Sequence, residues 1–138
     1  MRNREQDVRK FFRAADQRLK AAEFLYANRF YLDSVYLAGY VVECSLKALI
    51  LAHTLLNIYA QAYERLTRGS KAHEFDFLKA TLQRSPINVV LPKAIHDYFR
   101  RVNTWSTALR YETSIGDPDR ARLLLEAVRA IQGWTQRS

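Results

Sequence analysis

Cysteine, proline and glycine are scarce in this chain: of 138 residues, one is cysteine, three are proline and four are glycine. The single cysteine, Cys44, excludes an intramolecular disulfide. It lies in an apolar run with no neighbour that clearly stabilises a thiolate, so it reads as a small buried hydrophobe rather than a nucleophile. Few prolines and glycines leave few turns, which favours a handful of long helices over many short strands. His53, His73 and His96 are scattered and lack the short His or Cys spacing of a metal site, so neither metal nor cofactor is expected. The first twenty residues hold no uninterrupted apolar stretch and include Glu5, Asp7 and Asp16, unlike a secretory or organellar leader. The expectation is an untargeted, soluble, cytoplasmic protein.

Apolar residues make up 49% of the chain, enough for one domain over 1–138 with its own core. The net charge of +8 is unevenly spread. Between residues 65 and 101, eight Lys and Arg face three Asp and Glu. Such a surplus suits a polyanion partner, with Arg65, Arg68, Lys71, Arg100 and Arg101 as the phosphate contacts, and it equally suits a solvated basic surface. No interleaved exposed aromatics or recognised reading motif are expected with these charges, so any RNA contact here would be mostly to phosphate.

Hydrophobic spacing predicts an all-α, up-and-down bundle of about five helices. The first spans about Arg4 to Ala27, with Val8, Phe12, Ala15, Leu19, Ala22 and Tyr26 at three- and four-residue steps. Asn28 and Arg29 break it, so a second helix, Phe30 to His53, folds back against the first. Tyr59 to Leu66 either extends that helix or adds a short one. Thr67 to Ser70 reads as a loop. A third helix runs from about Glu74 to Arg84 and ends at Ser85–Pro86, because the residue before proline disfavours helix. Pro92 opens a fourth through about Thr104, with Ile95, Tyr98, Phe99, Val102 and Trp105 inward. Asp117–Pro118 starts the last, which runs to about Trp134.

The second helix carries the most pointed signal. Leu32, Val35, Gly39, Val42, Leu46 and Leu49 mark an apolar face, while Asp33, Tyr36, Tyr40, Glu43 and Lys47 form a narrow polar stripe between apolar sectors. Its length would span a bilayer, but Asp33, Glu43 and Lys47 argue against a membrane. Glu43 four residues before Lys47 is the favourable pairing order, and buried charges need such a partner. The stripe is either a half-exposed surface with one salt bridge or a polar seam used by a partner, a second subunit or a ligand. Tyr31, Tyr36 and Tyr40 beside it offer adhesive aromatic surface, which points to a homodimer.

These motifs, in order, resemble the HEPN domain family. The matching runs are Ala21 to Leu25, Phe30 to Tyr40, then Glu43–x–x–x–Lys47-Ala48-Leu49, the His73-containing entry Ala72 to Leu78, and Leu109-Arg110-Tyr111-Glu112 before the last helix. The resemblance implies a small helical bundle, often dimeric, often encoded beside or fused to a minimal nucleotidyltransferase. It also implies, for several members, metal-independent ribonuclease activity through a late Arg–x(4–6)–His motif. Here Arg110 is followed by no histidine at all.

The implied function is therefore a non-catalytic binding or partner module, acting with a nucleotidyltransferase-type protein and binding nucleotide or RNA. The alternative is a ribonuclease toxin of a toxin–antitoxin pair with an atypical site drawn from Arg68, His73 and Arg110. Arg68 and His73 have four residues between them, and a guanidinium and an imidazole are the groups to hold phosphate and move a proton. Arg110 is also a candidate partner for Glu43 inside the bundle.

Overall fold

The computed structural model describes residues 2–109 and 117–138, with the side chains of 104–109 left aside. Six α-helices stand among the described residues, and no strands. Helix α1 is Arg4–Ala27, α2 Tyr31–Ala52, α3 Tyr59–Arg68, α4 Phe75–Gln83, α5 Lys93–Leu109 and α6 Pro118–Arg137. A 3₁₀ turn, Leu56–Ile58, leads into α3. The all-α bundle expected from the sequence is the architecture found, with one helix more than the count of about five. The extra one is α3, since α2 stops at Ala52 and Thr54 turns its buried hydroxyl back onto the Ile50 carbonyl at 2.6 Å.

Local signals place most helix ends. The Asn3 side chain accepts from the Gln6 amide at 3.1 Å, capping α1. Arg29 takes a left-handed φ of 68°, and the Phe30 amide donates back to the Leu25 carbonyl, so three residues reverse the chain. α3 runs on to Arg68, so the loop begins at Gly69, two residues later than expected. Glycine is needed there: a Cβ would lie 2.5 Å from the Arg65 carbonyl oxygen. α4 stops before Ser85–Pro86 as expected, and that peptide is cis. Asp117 caps α6 through the Asp119 amide at 2.9 Å, with Pro118 in the first turn. α5 and α6 run to Leu109 and Arg137, past the expected Thr104 and Trp134. The inward placement expected for Trp105 falls on a side chain outside the described set.

α2 is the axis of the bundle and touches each of the other five helices. Its length and hydropathy would suit a membrane span, yet 67% of its most apolar window is buried inside the bundle. From Val41 to Leu51 every residue but Glu43 is buried, including Lys47. The fully buried Ala15 and Ala22 on α1 admit α2 closely, and Ser34 donates to the Ala22 carbonyl at 2.6 Å. On α1, the half-buried Phe11 rather than the expected Phe12 packs against the core, because it lies between the buried Asp7 and Ala15 at four-residue steps. Leu78, Leu82, Phe99, Leu125, Val128 and Ile131 fill the space between α2 and α4, α5 and α6.

Candidate functional site: the charged end of the α2 stripe

The polar stripe of α2 passes from solvent into the bundle. Asp33 is exposed, Tyr36 is 65% exposed and Tyr40 39%. The Glu43 side chain is 12% exposed and that of Lys47 only 5%. Lys47 Nζ donates to Glu43 Oε2 at 3.0 Å. The geometry follows from the sequence, since residues four apart share a helix face. Near-complete burial explains why the pair must exist: an ammonium without a partner here would cost several kcal/mol, roughly 3–5 when one member of a buried pair is removed.

A third group joins from across the fold. His73, in the turn before α4, places Nδ1 3.1 Å from both Glu43 carboxylate oxygens, while its side chain remains 72% exposed. The carboxylate thus bridges a buried ammonium and a solvent-facing imidazole. Local packing sets this reach. Phe75 opens α4 with its ring against Gly39, where an added Cβ would meet Phe75 Cζ at 3.9 Å, an ordinary contact distance. The first turn of α4 therefore lies on α2 one helical turn before Glu43. Chemically, a carboxylate can fix the ring orientation of a histidine and leave the other ring nitrogen free to exchange protons. Among the described residues no three His, Cys, Asp or Glu side chains converge as metal ligands.

The remaining sequence candidates disperse. No hydrogen bond or ion pair joins Arg68 to His73; Arg68 reaches Glu64 at 4.0 Å, and His73 turns to Glu43. Arg110, expected either in an active site or beside Glu43, lies outside the described residues. Arg65, Arg68 and Lys71 are exposed on α3 and the turn after it. Arg100 pairs with Asp97 on its own helix. Arg101 donates to the Leu123 carbonyl at 3.2 Å, approaches Glu126 at 3.9 Å and lies over the Tyr98 ring. Its contacts tie α5 to α6. Of the three stripe tyrosines, Tyr36 and Tyr40 meet edge to face at 5.9 Å on the surface. Tyr31 instead packs on Tyr26 and the core, so it is not the free aromatic that the sequence suggested. Phe24 and Phe30 are the exposed aromatics at this end of the molecule.

Two further features escaped sequence reasoning. Asp7 is buried, receives two hydrogen bonds from the Arg2 guanidinium at 2.8 and 3.0 Å, and accepts from the Tyr59 hydroxyl at 2.8 Å. The Arg2 hydrogen bond, reinforced by Tyr59, holds its carboxyl below the usual carboxylate range against the opposing effect of burial. Burial and the same hydrogen bond push the Tyr59 hydroxyl up. Asp7 was legible only as an acidic residue in the first turn of a helix. The second feature is an open basic surface along α1 formed by Arg9, Lys10, Arg13 and Arg18. Its signal was available, because seven Lys and Arg face three Asp and Glu in the first twenty residues.

A family model for the HEPN domain matches residues 8–138, nearly the whole chain. The chain belongs to the HEPN family. Comparison with the curated proteins and with the solved structures gave no match. Within this HEPN domain, two of the stretches that carried the resemblance meet in space. Glu43–x–x–x–Lys47 on α2 and the His73 turn before α4 are joined through the Glu43 carboxylate. The α2 helix that could pass for a membrane span is the buried axis of this HEPN bundle.

Proposed function

We propose that this HEPN domain is a non-catalytic binding module, a cytoplasmic homodimer that acts with a nucleotidyltransferase-type partner. The observation that carries this reading is the exposure of four large aromatics, Phe24 and Phe30 near the α1–α2 turn and the paired Tyr36 and Tyr40 further along α2. Aromatic side chains are preferred interface anchors, and four exposed ones on a small bundle exceed what solubility needs. Arg65, Arg68 and Lys71 supply the phosphate contacts if nucleotide or RNA is also held, and such binding should weaken steeply with salt. Light scattering at micromolar concentration tests the dimer. The expected mass is about twice the 16.1 kDa chain, falling to the single chain in Tyr36→Glu, Tyr40→Glu. A monomer in the unmodified protein removes this reading.

The ribonuclease reading keeps one observation in its favour, the carboxylate-held imidazole of His73. Incubation with total RNA separates the two. The binding-module reading expects intact RNA; defined cleavage that is lost in His73→Ala replaces it with a ribonuclease of atypical site.

A further inference from the structure

Beneath the loop that joins α4 to α5 lies a cavity of about 110 Å³ between α2, α3 and α4. Its wall is mostly apolar, with Ile50, Leu66, Phe77 and Ile87 among the lining side chains. Two threonines, Thr54 and Thr81, also line it, but their hydroxyls already donate to the Ile50 and Phe77 carbonyls one turn earlier. The wall therefore makes few polar demands on an occupant. Arg65 and Arg84 line the same space, and both are exposed, which puts them at its mouth. Among the described residues neither guanidinium meets a carboxylate or another hydrogen-bond acceptor.

Each half of this arrangement is common, but together they select a chemistry. An apolar hollow approaching the size of a cavity of roughly 150 Å³ that admits benzene has room for one ring or a short alkyl group. Guanidinium groups without partners at its mouth favour phosphate or carboxylate, which they can grip through paired N–H donors. A neutral apolar molecule would leave the arginines unused. A bare anion would leave the hollow unfilled.

We propose that this cavity binds a small organic anion, with a single-ring or short-chain body against Phe77, Leu66 and Ile87 and a phosphate or carboxylate between Arg65 and Arg84. The site is separate from the Glu43–Lys47–His73 cluster and from the exposed tyrosines, so it stands whether or not the protein dimerises. Arg68 and Lys71, though basic and near in sequence, are not part of its lining.

Calorimetric titration of the full chain with three probes tests the proposal: phenyl phosphate, inorganic phosphate and phenol. Phenyl phosphate is expected to bind at least about tenfold more tightly than either other probe. Arg65→Gln, Arg84→Gln should weaken phenyl phosphate by a similar factor, while Lys93→Gln, Arg120→Gln, at exposed basic residues outside the lining, leaves it unchanged. Ala62→Leu, which adds bulk at the cavity wall, should abolish the advantage of phenyl phosphate over inorganic phosphate without removing the latter. Three results overturn the proposal: no binding of phenyl phosphate at millimolar concentration, equal binding of phenyl phosphate and inorganic phosphate, or an equal loss in the Lys93, Arg120 variant. The last two would mark a diffuse basic surface. Circular dichroism confirms that each variant keeps its helices before it is titrated.

Discussion

At the amino-terminal end of the α2 stripe, Asp33 stands in solvent and Tyr36 and Tyr40 lean on each other at the surface. Further along the same line, Glu43 and Lys47 are enclosed by the bundle and by the turn that carries His73. Helical spacing is identical at the two ends, so spacing cannot account for the difference. What differs is cover. α4 enters over Gly39 and closes the carboxyl-terminal half, whereas among the described residues Tyr36 is left 65% exposed. One stripe therefore has two environments: the enclosed half joins α4 to α2 through charge, and the open half faces solvent.

The most forceful way to break this comparison is to remove one member of the enclosed pair. Glu43→Ala leaves the Lys47 ammonium buried without a carboxylate, and the expected loss is about 3–5 kcal/mol by urea denaturation. Lys47→Ala should cost somewhat less, since Glu43 keeps His73. His73→Ala should stay within about 1 kcal/mol, as its ring is largely in water. Replacing both charges, as in Glu43→Leu with Lys47→Met, should fall closer to the unmodified protein than Glu43→Ala alone. Losses below about 0.5 kcal/mol for Glu43→Ala, the ordinary surface range, would erase the distinction between the two ends.

Asp7 sharpens the rule, because it is a buried carboxylate whose cation is only half covered. Asp7→Ala is expected to cost about 1.5–3 kcal/mol, less than Glu43→Ala, through hydrogen bonds lost to Arg2 and Tyr59. The direction of its pKa gives a pH dependence. Its folded value lies below the unfolded one, near about 3.9, so its stabilisation is complete above that pH. It is lost as pH falls through the lower, folded value. Denaturation curves at neutral pH and below about pH 3 should show a steeper acid loss for the unmodified protein than for Asp7→Asn. Equal losses would mean that Asp7 is not held by Arg2 in solution.

Much of this was legible in the sequence, and the boundary between legible and hidden is physical. Caps, prolines and periodicity act over a few residues, so α1, α2 and the Asp117 start of α6 could be read directly. The Glu43–Lys47 pair was equally local. The third member was not, because His73 lies 30 residues from Glu43 and is brought there only by the way α4 crosses α2. Asp7 meets Tyr59 across 52 residues for the same kind of reason. Charge counting found the basic surplus of residues 65–101 but not its use: Arg101 is drawn onto α6, while Arg65 and Arg84 share a cavity. Composition reports how many charges exist, and tertiary register decides which ones face water, a carboxylate or an empty space.

The smallest expected effect tests the open end. Asp33→Ala and Tyr36→Ala should each change the stability of the single chain by no more than about 0.5 kcal/mol, because neither side chain is covered. If Tyr36 and Tyr40 anchor a second copy, however, folding and association are linked, and the denaturation midpoint of the unmodified protein should rise with protein concentration. That concentration dependence is expected to vanish in Tyr36→Glu, Tyr40→Glu, while the midpoint at the lowest concentration stays close to that of the unmodified protein. The two readouts fail in different ways. A midpoint independent of concentration in the unmodified protein argues against association through this surface. A loss above about 1 kcal/mol for Tyr36→Ala at every concentration would make the tyrosine a structural contact of its own chain, and the two ends of the stripe would then differ only in degree.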